Sequence, residues 1–460
     1  MFDRATPRRL RRLAALLLLL AGNSALAAQE APILTLSRAL ELAEANYPGL
    51  AAASALTEAA AAGVAEARAA ARPQLEIAAD LARTTDPVRG FGGLLAQEKF
   101  GPENFDIGFL NQPDPLTHAT TRLELFVPVY TGGRLTAARG AAGAGFEAAQ
   151  AERERARQQL LRQVIDAYTG DLSMTDQVRT LAAAHQAAEE NRKLVADLFA
   201  TGLVVESDLL QARVRLAELE EMLAAAEAGT VVRRAALNTL LGLPADTRWQ
   251  LDPALPELGA SPFTGDGAGQ EEAELAAAIE KASTQRPDLA AARARAQAAA
   301  RMLDLRRAEK RPLVGAGASL ESAADVPFGI DGSHWSALIS ARFTLFDGGA
   351  RRAREDRAAA ELRAAEAASR ALLNGIALEV RQAREGQKSA ARRLETAAAA
   401  EGLARRSLDI VRDRYREGLA PLVELLGAEA SLTAAQTRQL EARRALLLAR
   451  TELALAIGAL

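Results

Sequence analysis

Two carboxylates occupy the same setting 216 positions apart: Asp208 in "TGLVVESDLLQA" and Glu424 in "EGLAPLVELLGAE". Asp208, or Ser207 beside it, could cap the helix that begins there, because a side-chain oxygen satisfies otherwise unpaired amides. Glu424 lies further into its helix, past Ala420 and Pro421, where capping is harder. Acid–base or metal chemistry would need further partners. His118, His185 and His334 are expected in a loop, a long helix and a loop, with no partner at ligand spacing, and the chain has no cysteine. "GAGASL" at 315–320 lacks the third glycine of a dinucleotide loop and falls in an alternating pattern. Without a Walker motif or a nucleophile elbow, the sequence reads as a non-enzyme with no cofactor and no metal.

Charged residues make up 25% of the chain, aromatics only 4%, and alanine is abundant throughout. Such a composition favours long Ala/Leu/Glu/Arg helices that bury narrow seams over large compact cores. Five arginines at 4–12, the apolar run "LAALLLLLAG" and the small residues of "SALAA" form a secretory signal peptide over 1–27. No other run approaches the roughly 20 apolar residues of a membrane helix. Loss of residues 1–27, which hold five Arg and one Asp, takes the formal charge from −3 to −7, so no basic platform for nucleic acid is expected. Without cysteine there is no disulfide and no lipid-modified N-terminal Cys. An exported chain of this kind is periplasmic, secreted, or held in an outer membrane by strands.

Self-similarity organises the whole chain. Leu36, Ala43, Pro48, Leu50 and Pro73 match Leu275, Ala282, Pro287, Leu289 and Pro312 at an offset of 239. Gly132 and Gly133 match Gly348 and Gly349, and Gly202, Leu237 and Gly242 match Gly418, Leu453 and Gly458, at an offset of 216. The predicted plan is a first repeat over 28–242, a linker over 243–270 and a second repeat over 271–460. Each repeat opens with a helix (about 36–72 and 271–310) that stops at Arg-Pro, where proline ends the hydrogen-bond ladder. Two segments of period two follow, forming hairpins at about 74–130 and 313–346. Their connecting stretches are rich in Gly, Pro, Asn and Asp and are read as loops.

A Gly-Gly pair then opens a proline-free helical pattern, 134–200 and 350–416, which turns at Gly202 or Gly418 and returns through 203–241 or 419–457. At about 1.5 Å per residue the longer arm spans on the order of 100 Å, and the returning arm covers little more than half of it. Two shorter helices stacked end to end would therefore run beside each long one, with 243–270 at the waist.

Strands of about ten residues can cross a bilayer when tilted, yet four cannot close a barrel, and an open edge in lipid leaves backbone groups unpaired. Copies must associate; two chains would supply eight strands and three would supply twelve. Phe126, Tyr130, Trp335, Phe343 and Phe346 cluster near strand ends, as a membrane-interface girdle would.

The tandem plan, the paired turns "TGLVVESDLLQA" and "EGLAPLVELLGAE", and the junctions "PVYTGGR" and "TLFDGGA" together resemble the TolC family of outer-membrane efflux and secretion channels. The resemblance implies a mostly α homotrimer, with a twelve-stranded β-barrel in the outer-membrane lipid on a periplasmic α-helical barrel. It further implies a periplasmic adaptor gripping the tips and an inner-membrane pump of RND, ABC or MFS type, working in a tripartite efflux pump or a type I secretion system. Its aperture positions correspond to Ser207, Asp208, Tyr415 and Glu424. A ring of such carboxylates favours cations and repels anions. Its adaptor-contacting turns correspond to Gly202, Leu203 and Val204 and to Gly418, Leu419 and Ala420, and its strand-to-helix junctions to Gly132, Gly133, Gly348 and Gly349. Ala420 and Gly427 stand where some members carry a basic residue and a second acidic ring, which implies a gate with fewer ionic contacts. The alternatives are a periplasmic coiled-coil adaptor, which would need a lipoyl-like β domain and a single hairpin, and a structural coiled coil without strands.

Overall fold

The structure is a computed structural model that describes residues 32–254 and 268–460. The expected signal peptide (1–27) and residues 255–267 of the expected linker lie outside the described residues.

In chain order the first repeat contains β1 (Ile33–Leu34), α1 (Leu36–Asn46), α2 (Pro48–Ala69), β2 (Gln74–Thr84), α3 (Pro87–Ala96), α4 (Ile107–Asn111), β3 (Leu116–Tyr130), α5 (Arg134–Ala200) and α6 (Glu206–Leu240). After β4 (Gln250–Leu251) come α7 (Ala268–Gln285), α8 (Pro287–Ala308), β5 (Leu313–Ala324), β6 (Gly332–Arg342), α9 (Ala350–Arg416) and α10 (Leu422–Ala456). Each long helix runs for 67 residues, with the boundaries read from the sequence. The opening helices do not run unbroken as expected. Each splits, at Tyr47-Pro48 and at Arg286-Pro287, because the residue before proline is held extended, with ψ 119° at Tyr47 and 122° at Arg286.

Three other readings are corrected. The stretch after β2 is not all loop: Asp86 accepts from the amides of Val88 and Arg89 and starts α3, with Pro87 at its first position. β3 begins at Leu116 and β6 at Gly332, so His118 and His334 lie in strands. β6 ends at Arg342, which leaves the expected strand residues Phe343 and Phe346 beyond it.

β2, β3, β5 and β6 form one antiparallel sheet in that order, so β3 of the first repeat pairs with β5 of the second. Among the described residues its outer strands, β2 and β6, have no neighbour on their far sides. β1 and β4 make a short parallel pair at the waist that no sequence signal announced.

The two waist cores are the same set of positions written twice. Leu36, Ala39, Ala43, Leu50, Leu160, Val164, Leu237 and Leu241 form one, and Leu275, Ala278, Ala282, Leu289, Ile376, Val380, Leu453 and Ile457 form the other. α2 and α6 both lie along α5, and α8 and α10 both lie along α9. The shorter helices abut end to end. Gly242, just past α6, presses on Asn46, where an added Cβ would lie 2.6 Å from the carbonyl oxygen; Gly458 likewise meets Gln285.

Where the copies diverge, an aromatic side chain gives way to arginine. Tyr168 is buried, and its hydroxyl donates to the carbonyls of Leu34 and Asp252 at 2.7 and 3.0 Å. Its counterpart Arg384 pairs with Glu271 at 2.8 Å. Tyr47 packs on the first core, whereas its counterpart Arg286 is a buried ion-pair hub.

Candidate functional site

Both long hairpins turn at the same end of the molecule, and their tips share one core of Val195, Leu209, Ala212, Leu408, Leu422 and Leu425. α5 ends when the Leu203 amide donates to Leu198 O at 2.9 Å and the Gly202 amide to Phe199 O at 3.0 Å. α9 ends identically, with Leu419 on Arg414 O at 2.7 Å and Gly418 on Tyr415 O at 3.0 Å. This closure needs a left-handed residue, and Gly202 and Gly418 supply φ of 76° and 73°.

Val205 and Pro421, three residues after each glycine, are extended, and α6 and α10 start at Glu206 and Leu422, three residues later than expected. Val205 and Pro421 occupy the cap positions without a side-chain hydrogen bond. Neither Ser207 nor Asp208 caps α6. Asp208 instead sits in the first turn beside Glu206, where the helix dipole favours negative charge.

Across the tip core, the structure brings Tyr415 close enough to Asp208 for its charge to be felt. Burial first, and then the Asp208 charge, push the Tyr415 phenol above its ordinary range. The buried Tyr415 hydroxyl has no hydrogen-bond partner. Its counterpart Phe199 is 40% exposed, so the repeat is not symmetric here.

Glu424 is exposed and lies 3.6 Å from the Arg414 guanidinium, which also donates to Leu419 O at 3.1 Å. Arg414 thus closes the second turn, a role the sequence reading missed; the available signal was a basic residue in the last turn of a helix. Leu203 and Leu419 are largely exposed at the tip. Val204 packs partly into the core and Ala420 is buried.

Further up the hairpins, Glu429 of α10 accepts from Asn191 Nδ2 of α5 at 2.6 Å. Burial pushes its carboxyl upward against the lowering effects of Asn191, Arg412 and Arg215.

At the other end, Gly132 and Gly133 (φ 64° and 92°) and Gly348 and Gly349 (65° and 88°) join the strands to α5 and α9. An added Cβ on Gly132 would lie 2.6 Å from Arg311 Cβ, while Gly348 and Gly349 face open space. The first junction is packed and the second is free.

The sheet register separates two faces. Ile77, Leu123, Leu320 and Trp335 form one cross-strand row, and Leu75, Leu125, Ala318 and Ala337 the next, on an apolar face left exposed by the single chain. The opposite face carries Glu76, Glu124, Ser319 and Ser336, then Ala78, Arg122, Glu321 and His334. Arg122 pairs with Glu321 at 2.8 Å, and the Ser319 and Ser336 hydroxyls meet at 2.8 Å. Phe126 has this second parity, so it belongs to the polar face and not to an outward aromatic girdle. An exposed apolar face backed by a polar one is what a wall between lipid and water requires.

The sequence profile described as Outer membrane efflux protein matches residues 39–243 and 278–459. The chain is 26% identical, over 92% of its length and 85% of the relative's, to the pyoverdine export outer membrane protein OpmQ of Pseudomonas putida. Its fold is similar to that of the outer membrane protein VceC from Vibrio cholerae, with a TM-score of 0.74 at 23% identity, covering 92% of this chain and 96% of that one. It is also similar to the Campylobacter jejuni CmeC outer membrane channel, with a TM-score of 0.77 at 18% identity, covering 92% and 85%.

Proposed function

The chain belongs to the outer membrane efflux protein family, and from that premise we propose that three copies close a twelve-stranded barrel and continue it as a helical tunnel into the periplasm. The protein is an outer-membrane channel of an efflux pump, with its helical part extending into the periplasm. The observation that carries association of copies is the four-stranded sheet whose edges are unpaired among the described residues and whose apolar face is exposed; the number three comes from the family resemblance. Open edges in hydrocarbon cost several kcal/mol per unpaired group, and joining β2 of one copy to β6 of the next removes them.

In this reading the channel does no chemistry of its own. A periplasmic adaptor engages Gly202, Leu203, Gly418 and Leu419 at the tips, and an inner-membrane transporter supplies the energy. Asp208, Ser207, Tyr415 and Glu424 form the aperture, with Arg414 moderating the Glu424 charge. The name of the Pseudomonas putida relative favours small-molecule export over protein secretion.

The test is fractionation followed by sizing. The expected result is recovery with the outer membrane, heat-dependent migration on gels and a detergent particle with the protein mass of three chains. A folded monomer that is stable without detergent would overturn the proposal.

A further inference from the structure

At the base of the sheet, β3, β5 and β6 meet the start of α5 around a cavity of about 420 Å³ lined by Phe126, Tyr130, Arg134, Gly315, Ser340 and Arg342. Phe126, Gly315 and Ser340 share the parity of Glu124, Arg122 and Glu321, the polar face, while Tyr130 follows a bulge after Pro128 and pairs with Val314 of the other parity, so the cavity sits at the end of the sheet with Phe126 and Arg342 on the polar side. The Phe126 ring lies over Gly315, where an added Cβ would be 2.6 Å from Phe126 Cε2. The missing side chain therefore makes room for the ring.

Nearby cations already have partners. Arg311 donates to Gly132 O at 3.0 Å, and Arg351 pairs with Asp347 at 3.0 Å. Among the described residues, Arg134 and Arg342 have no ion pair and no side-chain hydrogen bond. Two uncommitted guanidiniums beside two aromatic rings present a specific chemistry. Planar forks grip carboxylates or phenolates in pairs of hydrogen bonds, while ring faces take a second aromatic system in offset or edge contact. The volume lies in the range of small-molecule sites.

We infer that this cavity is a binding station for small planar aromatic anions of the benzoate or catecholate class. The ligand ring packs on Phe126 and Tyr130, and its acidic group bridges Arg134 and Arg342. The cavity sits where the helical tunnel opens into the sheet, so on the channel reading it meets cargo late in transit. A duct needs such a station to be weak, because conduction requires release as well as capture.

The inference rests on the channel reading for its role, and one experiment separates the two. Salicylate is titrated onto the detergent-purified protein by ligand-observed NMR, with benzylamine and cyclohexanecarboxylate as controls, while sedimentation in the same detergent reports assembly. Salicylate is expected to bind more tightly than either control. Arg134→Gln and Arg342→Gln, each read separately, should weaken it about tenfold, as loss of a charge-assisted hydrogen bond does. Phe126→Leu should erase the preference for salicylate over cyclohexanecarboxylate. Equal binding of the three probes, or unchanged salicylate affinity in both arginine variants, overturns the inference. A monomeric particle that still binds salicylate overturns the trimer and leaves the station standing, because one chain supplies all its lining.

Discussion

The buried Arg286 guanidinium donates to Asp288 Oδ2 at 2.6 Å across the break between α7 and α8. It also reaches Ala456 O at 3.3 Å and pairs with Glu379, so it ties the end of α10 and the middle of α9 to the waist. Burial alone would raise the Asp288 carboxyl, but the hydrogen bonds and charge of Arg286, with Arg155, hold it below the usual range.

Arg286→Ala leaves Asp288 half-compensated inside the waist and is expected to cost about 3 kcal/mol or more, as removal of one partner from a buried pair does. Thermal unfolding in detergent measures it. A carboxyl with a depressed pKa adds stability that is present above its unfolded value of about 3.9 and lost as pH falls through the folded one. The wild-type protein should therefore lose stability more steeply than Arg286→Ala on acidification below pH 4. Parallel acid limbs in the two proteins would contradict the pairing.

Glu429 behaves in the opposite sense. Its folded pKa is raised, so its contribution is fully present below the unfolded value of about 4.3 and lost as pH rises through the folded value. Glu429 touches Asn191 of α5 and feels Arg412 of α9 and Arg215 of α6, so this loss loosens the seam between the hairpins. Glu429→Gln should flatten the decline of the unfolding temperature between pH 4 and pH 7. An unchanged profile would remove Glu429 as its source.

The tip and waist glycines should differ in cost. Gly202 and Gly418 face open space, so Gly202→Ala or Gly418→Ala carries only the left-handed backbone penalty of about 1–2 kcal/mol. Gly242→Ala adds a clash, because its Cβ would fall 2.6 Å from Asn46 O. Denaturant midpoints should rank Gly242→Ala well below both tip variants.

Glu424→Gln tests the aperture. The Arg414–Glu424 pair is about half exposed at 3.6 Å, so its loss should change stability by less than about 1 kcal/mol. Block of single-channel current by multivalent cations should nevertheless weaken, since a carboxylate leaves each subunit's tip. Block identical to wild type would place Glu424 away from the pore.

Much of the plan was legible because backbone chemistry announces it locally. The Gly-Gly pairs and the absence of proline fixed α5 and α9, and alternation in "QLEIAADLART" fixed β2 and which of its residues share a face. The break at Pro48 was equally local but was absorbed into a longer helical period. Asp86-Pro87 was misread because the same dipeptide serves turns and helix starts alike.

The sequence by itself determined the repeat, the extent of α5 and α9 and the alternation of faces along the strands, since these depend on residue type at fixed spacing along one chain. Tertiary structure alone decided the pairing of β3 with β5, the burial of Arg286 and Arg384, and the nearness of Tyr415 to the Asp208 charge. Those features join positions far apart in the chain, and no local periodicity encodes which distant surface a side chain will face. The two copies share a pattern of cores, yet only packing shows that tyrosine holds the waist of the first and arginine that of the second.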